Sequence, residues 1–335
     1  MKEVLNQLFE YKSLDKATAK EILIKLTKGE YNHSQVAAFL TVYLMRSITV
    51  HELEGFRDAM LELCVPLHIE EYDAIDLCGT GGDGKDTFNI STLASFIVAG
   101  AGQRVAKHGN NGVSSVCGSS NLLAHFGYEF TNDTDQLRKS IEEAGICFLH
   151  APLFHPAMKN VAPIRKELGV KTFFNMLGPM VNPSFPKKQL VGVFSLELAR
   201  LYAYLYQQTD KDFVILHSLD VYDEVSLTGS FKMITNRQEQ VVQPADLGLG
   251  TYTQKELSGG DTVEASAKIF VDVLKGEGTQ AQTDVALANA GMAIYCGNKK
   301  LSMADSIEAA RESLASGKAL ETFRLMIGDK KKTVA

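Results

Sequence analysis

One stretch of the chain constrains the fold more than any other: a short apolar run, a glycine cluster, and a second apolar run with helical character. Residues 74–78 predict a buried strand, and residues 92–102 predict a tightly packed helix whose first turn Ser91 or Thr92 is placed to cap. Between them stand four glycines at positions 79, 81, 82 and 84. A strand, a glycine-rich turn and a helix in succession are typical of an anion-binding site.

The physical basis of such a site is the exposed start of the helix. The first turn leaves backbone N–H groups without intrahelical partners, and the helix dipole adds a partial positive charge there. Glycines allow backbone amides to approach a phosphate because no Cβ stands between them. We therefore expect the loop from Gly79 to Thr92 to bind phosphate.

Two common phosphate motifs match this loop only in part. The dinucleotide pattern G-x-G-x-x-G runs from Gly79 to Gly84. That fold also requires an acidic residue about 20 residues further on, at the end of the next strand, to bind the ribose. Here the next predicted strand ends at Lys107 instead. The P-loop pattern G-x-x-x-x-G-K ends at Lys85, but Asp86 stands where a Ser or Thr would bind magnesium. The sequence therefore lacks the ribose-binding acid of the first motif and the magnesium-binding hydroxyl of the second.

Strands and helices alternate after residue 73, which predicts an α/β fold with a mainly parallel sheet and helices on both faces. Each predicted strand is followed by a helical pattern, and ligands in such sheets bind at the carboxyl ends of the strands. Gly79, His108 and Asp223 follow three of these strands. The predicted strands cover residues 74–78, 104–107, 146–150, 189–194 and 213–217.

The first part of the chain predicts helices alone. Four short amphipathic segments fill residues 1–66, and Thr49 with Glu52 forms a capping box before the fourth. We expect a small N-terminal all-helical domain at 1–66, joined by an insertion at about 165–186 that interrupts the alternation, and a large α/β domain at 73–335.

Composition excludes several functional classes. The formal net charge is −6, and there is no basic stripe of the kind that binds nucleic acid; the lysine run at 330–332 predicts a solvated tail. The five cysteines are scattered without a C-x-x-C pair, as in a reducing cytoplasm. The start of the chain lacks the apolar core of a signal peptide, and no apolar run approaches the roughly 20 residues of a membrane span. We expect a cytoplasmic protein with no membrane or nucleic-acid partner.

Two longer motifs, GTGGD followed by TFNIST at residues 79–92 and KHGN at 107–110, resemble those of the anthranilate phosphoribosyltransferase family. These enzymes of tryptophan biosynthesis join anthranilate to phosphoribosyl pyrophosphate, and the resemblance extends over nearly the whole chain. The resemblance implies that the protein uses Mg²⁺ as a cofactor and that the insertion at about 165–186 belongs to the helical domain. It also implies a homodimer formed through that domain.

The resemblance also implies a set of site residues. Gly79, Gly82 and Asp83 would border both substrates, and Asn110, His155 and Arg165 would serve anthranilate, with Arg165 orienting it. Ser91 and the pair Asp223 and Glu224 would hold magnesium. The residues implied for phosphoribosyl pyrophosphate are Gly79, Gly82, Asp83, Thr87, Asn89, Ile90, Ser91, Thr92, Lys107, His108, Gly109, Asn110 and Ser119.

The sequence departs from the family pattern at one position, and two alternative functions stay open. Family enzymes commonly carry a basic residue where Asn111 stands, so one positive contact is missing here. The chain could instead be a pyrimidine nucleoside phosphorylase, which also binds phosphate and a pentose, or a relative that has lost catalysis and binds nucleic acid. The intact acidic pair at Asp223 and Glu224 and the absence of a basic groove in the sequence favour the phosphoribosyltransferase.

Overall fold

The structure is a computed structural model that describes residues 1–112 and 116–328. The chain divides into two compact units. The helical unit contains Met1–Pro66 and Ala151–Pro183, and the sheet unit contains Leu67–His150 and the chain from Ser184 onward. Within the described ranges, no helix combines the length and the apolar character needed to cross a bilayer. The lysine run predicted to be a tail, at 330–332, lies outside the described residues.

The elements follow one another along the chain as helices α1–α15 and strands β1–β7. The helices are α1 Lys2–Phe9, α2 Lys16–Thr27, α3 His33–Met45, α4 Val50–Glu62, α5 Ile90–Gly100, α6 Ser119–His125, α7 Thr134–Glu143, α8 Ala151–Phe154, α9 Ala162–Leu168, α10 Phe174–Leu177, α11 Leu196–Tyr206, α12 Val263–Leu274, α13 Gln280–Gly297, α14 Met303–Ala315 and α15 Lys318–Ile327. The strands are β1 Ile75–Gly79, β2 Val105–Gly109, β3 Ile146–His150, β4 Lys188–Gly192, β5 Asp212–Ser218, β6 Phe231–Thr235 and β7 Glu239–Val242.

The helical unit is built on an aromatic core. Phe56 of α4 stacks on Phe173 with ring centroids 4.4 Å apart, and Phe39 of α3 meets both rings edge-on. Such ring pairs add to the stability gained from apolar burial. The predicted capping box of α4 is present, because Thr49 accepts from the N–H of Glu52 and the Glu52 carboxylate accepts in return. Phe173 comes from the second segment, so the core joins both parts of the unit.

The second segment of the helical unit starts earlier than the insertion that the sequence predicted at about 165–186. It begins at Ala151, directly after β3, and ends at Pro183. The reason lies in two hydrogen bonds: Asn160 Nδ2 donates to the carbonyl of Thr27 at 2.8 Å, and the N–H of Val65 donates to the carbonyl of Phe154 at 2.8 Å. Both tie residues before 165 to the N-terminal helices.

The sheet unit contains a seven-stranded sheet in the order β3-β2-β1-β4-β5-β6-β7. Strands β1 to β5 pair in parallel, and the five predicted strands match them within a few residues. The expectation that a helix follows every strand is wrong at β5, because β5 leads into an antiparallel ladder with β6 and β7. Cross-strand hydrogen bonds stabilise these two short strands, and their own sequence pattern is weak.

Strand β1 lies at the switch point of the sheet, with β2 on one side and β4 on the other. Ligands in open α/β sheets bind in the crevice beyond the carboxyl ends of the strands at such a point. Helix α5, which follows β1, is buried along most of its length and packs against α13 and α15 through residues such as Phe96 and Phe323. This packing fixes the start of α5 beyond the end of β1.

Candidate active site

The glycine loop, residues 80–89, connects β1 to α5. Gly81, Gly82 and Gly84 have φ angles of 64°, 80° and 72°, in the left-handed region that favours glycine. The far end of the loop is held by an antiparallel bridge between Thr87 and Ser258. The loop is therefore bent by its glycines and anchored where it enters the helix.

The start of α5 differs from the expected cap. Ser91 and Thr92, either of which was predicted to cap the helix, both lie inside its first turn, and the residue at the cap position is Asn89. The Asn89 side chain makes no capping bond and donates to the carbonyl of Cys117 at 2.9 Å instead. The N–H of Ser91 donates to Glu224 Oε1 at 2.9 Å. A distant carboxylate thus accepts from the helix start, where the helix dipole favours negative charge.

The carboxylate loop, residues 219–230, connects β5 to β6 and brings its acidic pair to the glycine loop. Asp223 is buried and Glu224 is partly buried. The N–H of Gly81 donates to Asp223 Oδ2 at 2.6 Å. Since Glu224 accepts from the first turn of α5, each carboxylate is held by one backbone amide from the predicted phosphate site.

Two strand-end glycines leave the space that the acidic pair needs. A Cβ at Gly192, the last residue of β4, would overlap the carbonyl group of Asp223. A Cβ at Gly79, the last residue of β1, would meet the Asp223 carboxylate. Gly79 and Gly192 are register partners in the sheet. The carboxylate loop therefore packs directly on the end of the β1–β4 ladder.

Negative charge is concentrated here, with one buried lysine beside it. Burial, together with repulsion from Asp83, raises the pKa of both Asp223 and Glu224, and each carboxylate also repels the other. Burial lowers the pKa of Lys107, and the nearby acidic groups oppose that effect. Lys107 Nζ donates to the carbonyl of Leu77 at 2.6 Å and to Ser91 Oγ at 3.3 Å. An additional cation would relieve the repulsion among the carboxylates.

The donor chemistry of this site suits magnesium. Carboxylate and hydroxyl oxygens are the hard ligands that Mg²⁺ prefers, and Asp223, Glu224 and Ser91 supply them. Among residues 1–112 and 116–328, no group of three or more His, Cys, Asp or Glu side chains is arranged to hold a metal unaided. Magnesium commonly binds through one or two carboxylates completed by substrate phosphates, so the pair fits that mode.

The second predicted loop follows β2. The carbonyl of Asn110 accepts from Ser119 Oγ at 3.3 Å and from the N–H of Ser120 at 3.0 Å, which fixes the loop to the start of α6. A Cβ at Gly109 would collide with Ser119 Oγ and with the ring of Phe148. The predicted residues Gly109, Asn110 and Ser119 therefore lie together. Asn89 joins this loop to the glycine loop through Cys117.

Sequence reasoning missed Asp76, a buried acid within β1. Its Oδ1 accepts from the N–H of His108 at 3.2 Å, and its Oδ2 accepts from Gln189 Nε2 at 3.2 Å. The carboxylate thus connects β1 to its neighbours β2 and β4 just before the glycine loop. An acidic residue inside an otherwise apolar strand was the available signal, because buried carboxylates need partners.

The predicted residues Arg165 and His155 belong to the helical unit. Arg165 Nη2 donates to Asn175 Oδ1 at 3.2 Å, and its guanidinium lies over the ring of Phe174. Burial lowers the pKa of Arg165. Within the described residues, Arg165 Nε and the hydroxyl of Thr172 are buried without a hydrogen-bond partner. The N–H of Thr172 donates to the same Asn175 oxygen at 3.1 Å, so two residues that the sequence did not reveal complete this cluster.

His155 has a structural tie within the same unit. Its Nε2 donates to the carbonyl of Val181 at 2.9 Å, since a carbonyl oxygen can only accept. Burial lowers the pKa of His155 to about 4, so the ring is neutral at physiological pH. The neutral ring holds the end of the second segment through Val181, and it has no positive charge with which to attract an anion.

The structure therefore sorts the predicted residues into two groups. Hydrogen bonds join several of those in the sheet unit, whereas His155 and Arg165 of the helical unit have separate partners within that unit. The first group contains Gly79, Gly82, Asp83, Thr87, Asn89, Ile90, Ser91, Thr92, Lys107, His108, Gly109, Asn110, Ser119, Asp223 and Glu224, and the second contains His155 and Arg165.

The fold and site define a glycosyl transferase of two-domain architecture. The model of the glycosyl transferase family α/β domain matches residues 71–320, and that of the family's helical bundle domain matches residues 2–64. The anthranilate phosphoribosyltransferase of Flavobacterium psychrophilum is 61% identical over 97% of this chain and 98% of its own length. The chain belongs to the anthranilate phosphoribosyltransferase family. The family and fold class expected from the sequence are thereby confirmed.

Solved structures agree with this assignment. The crystal structure of anthranilate phosphoribosyltransferase from Thermus thermophilus aligns with a TM-score of 0.90 at 34% identity, covering 96% of this chain and 98% of its own. The Saccharomyces cerevisiae enzyme in complex with PRPP and Mg aligns with a TM-score of 0.88 at 26% identity, covering 96% and 95% of the two chains. The alignments extend over nearly the full length of each chain.

Proposed function

We propose that this protein transfers the phosphoribosyl group of phosphoribosyl pyrophosphate to the amine of anthranilate, giving N-(5-phosphoribosyl)anthranilate and pyrophosphate. This is the second step of tryptophan biosynthesis from chorismate. The observation that carries the proposal is the acidic pair Asp223 and Glu224, held against a glycine loop and a helix start by the amides of Gly81 and Ser91. Near-full-length identity to enzymes of this name supports it.

The glycine loop and the loop after β2 are proposed to bind the sugar diphosphate. Backbone amides near the start of α5 and the ammonium of Lys107 supply positive potential for a pyrophosphate. Ser91, Asn89 and Ser119 offer short polar side chains beside them. Fixed donors of this kind stabilise the negative charge that a departing pyrophosphate acquires.

Asp223, Glu224 and Ser91 would hold magnesium. The structure of the yeast enzyme in complex with PRPP and Mg supports the use of this ion in the family. When bound, the ion supplies positive charge to the pyrophosphate and lowers the cost of its departure. The protein's own contribution is to keep the carboxylates in place: Gly81 and Ser91 donate to them, and Gly192 leaves room for the backbone of Asp223.

Arg165 is assigned to the carboxylate of anthranilate. A guanidinium can bind a planar carboxylate through two parallel hydrogen bonds. Arg165 Nε is a buried donor, and no group among the described residues accepts its hydrogen bond. The buried hydroxyl of Thr172 also has no hydrogen-bond partner among the described residues. Asn175 orients both residues. A buried cluster with spare donors is the arrangement that an aromatic acid requires.

The reaction needs no protein nucleophile. The aromatic amine attacks the anomeric carbon, the bond from that carbon to the pyrophosphate oxygen breaks, and pyrophosphate leaves with the bonding electrons. The amine then loses a proton. Holding the two reactants in attack geometry supplies several kcal/mol of the barrier reduction, up to about 7–11 kcal/mol in the most favourable cases.

We also propose a cytoplasmic homodimer formed through the helical unit. Four large apolar side chains at or just after the ends of α1 and α3 are exposed, namely Phe9, Tyr11, Leu44 and Met45. Contiguous exposed apolar patches are typical of interfaces, and we propose that these four side chains form one. The five cysteines are free thiols, as expected in a reducing compartment.

One assay tests the activity. Anthranilate fluorescence should fall when phosphoribosyl pyrophosphate and magnesium are added, and EDTA should abolish the loss. Loss of fluorescence without magnesium, or none with it, would contradict the proposal. A reaction that required a nucleoside and inorganic phosphate instead would favour the phosphorylase alternative.

A further inference from the structure

Asn289, in the middle of α13, bonds to both backbone groups of one residue in the carboxylate loop. It is buried, with 2% of its surface exposed. Its Oδ1 accepts from the N–H of Val225 at 3.1 Å, and its Nδ2 donates to the carbonyl of Val225 at 2.9 Å. The second Nδ2 proton goes to the carbonyl of Val285 at 2.8 Å. A side-chain amide has two donors, and both are used within the protein.

The loop that Asn289 holds is conformationally strained. Val221 and Leu227, on either side of the acidic pair, have φ angles of 79° and 56°. The left-handed region is costly for residues with a Cβ, and most of all for a β-branched valine. Such conformations persist only where the surrounding structure imposes them. Without external contacts, we expect the loop to relax to other conformations.

Contacts on two sides hold the acidic pair. On one side, Ser218 Oγ donates to the carbonyl of Glu224 at 2.7 Å, and Gly192 lies against the carbonyl of Asp223. On the other side, Asn289 pairs with Val225, the residue that directly follows the pair. Asn289 thereby pairs with both the N–H and the carbonyl of Val225, as a neighbouring strand pairs with a residue in a β-sheet. Its contacts are with backbone, so it sets the position of the loop without reaching the carboxylates.

We propose that Asn289 is a positioning residue for Asp223 and Glu224, and this inference rests on the proposed function. The paired hydrogen bonds keep both carboxylates directed at the amides of Gly81 and Ser91. Replacing Asn289 leaves the carboxylates in the protein but spreads them over several positions. Affinity for a divalent cation together with the sugar diphosphate then falls, whereas recognition of the aromatic acid is unchanged.

The experiment compares Asn289→Ala and Asn289→Asp with the wild type and a control, Ser313→Ala. Ser313 of α14 is also buried in the sheet unit and donates to the carbonyl of Ile97 in α5 at 2.7 Å, and neither residue belongs to the carboxylate loop. In both Asn289 variants, the half-saturating magnesium concentration should rise at least about fivefold, the factor that corresponds to one lost net hydrogen bond. KM for anthranilate should stay within about twofold of the wild-type value.

Two readouts do not depend on turnover. Amide exchange at Val225 in metal-free protein should accelerate at least about tenfold in Asn289→Ala and stay unchanged in Ser313→Ala. Calorimetric titration with magnesium and phosphoribosyl pyrophosphate should show the same weakening as the kinetics. Asn289→Asp keeps the side-chain volume and the acceptor for Val225 N–H but removes the amide donor to the carbonyls of Val225 and Val285, so it isolates the loss of those donated bonds.

Unchanged magnesium dependence in folded Asn289 variants would overturn the positioning role, and so would equal effects in Ser313→Ala. Loss of cooperative unfolding in both Asn289 variants would make Asn289 a folding residue and would also overturn it. Failure of the proposed function looks different: the wild type itself would then show no magnesium-dependent use of anthranilate, while the exchange difference at Val225 would remain.

Discussion

The carboxylate of Asp223 accepts a hydrogen bond of 2.6 Å from the backbone N–H of Gly81, a residue 142 positions away in the sequence. The bond places an acid, whose pKa is raised by burial and by neighbouring carboxylates, against the glycine loop that we propose binds phosphate. A carboxylate and a bound phosphate repel each other unless a cation lies between them. The contact between Asp223 and the glycine loop therefore supports our proposal that a divalent cation binds here together with the substrate.

We predict that a double change, Asp223→Asn with Glu224→Gln, separates stability from turnover. Turnover should fall at least about 100-fold, because the magnesium ligands are lost. In metal-free protein at neutral pH, the melting temperature should rise by about 2–4 °C, because repulsion between the neighbouring carboxylates is removed while the amide oxygens still accept from Gly81 and Ser91. Kinetics at several magnesium concentrations and thermal unfolding in EDTA check both parts. A variant with lower stability in EDTA would contradict the electrostatic explanation.

We predict that Gly192→Ala disrupts the carboxylate loop from the sheet side. The added Cβ would overlap the carbonyl of Asp223, so the loop must move. Activity at fixed magnesium should fall at least about tenfold. Gly229→Ala is the matched control, since Gly229 lies in the same loop and no described atom comes within 4 Å of the position that its Cβ would take. Equal losses in the two variants, measured by steady-state kinetics, would rule out the steric argument.

The sequence was sufficient for the parts of the site that are local. The strand, glycines and helix from residue 75 to 100 lie in one continuous stretch, and their pattern predicts both the fold of this segment and its anion preference. The parallel strands were likewise recognisable, because each is a short apolar run bounded by turn residues. Both features depend on neighbours within a few residues.

The parts that the sequence did not reveal depend on distant partners. Asn289 lies 64 positions from Val225, and Asp76 lies 32 positions from His108. The strands β6 and β7 are short and stabilised by each other, and Ser91 contributes a backbone N–H where the sequence suggested a capping hydroxyl. A polar residue inside an apolar run signals an internal partner but does not identify it.

A third prediction concerns the helical unit, where Glu52 is fully buried. Burial alone would raise the pKa of Glu52, but hydrogen bonds from Arg46 and from the N–H groups of Leu14 and Thr49 bring it below its ordinary value. A lowered pKa stabilises the folded state above the ordinary value of 4.5, and this contribution is lost as pH falls through the folded-state pKa. Glu52→Gln should therefore cost about 3 kcal/mol at pH 7, because it breaks a buried ion pair.

The check is unfolding of the wild type and Glu52→Gln at pH values from about 7 to about 3, where the difference should shrink only in the acid range. Glu62→Gln serves as control, since Glu62 pairs with Lys20 on the exposed surface and should change stability by less than about 1 kcal/mol. A difference between wild type and Glu52→Gln that was constant across the whole range would show that charge is not the cause.

The last prediction tests the buried cation of the helical unit. Arg165→Ala should raise KM for anthranilate at least about tenfold and change KM for phosphoribosyl pyrophosphate by less than about twofold, because only one substrate carries the carboxylate. Arg165→Lys should not restore the wild-type value, since an ammonium cannot bind a carboxylate through two parallel hydrogen bonds. Lys166→Ala, the next residue on α9, removes an exposed positive charge from the same helix and should leave both constants unchanged. Steady-state kinetics with each substrate varied in turn gives the answer, and an equal rise in both constants would refute the assignment of Arg165 to anthranilate.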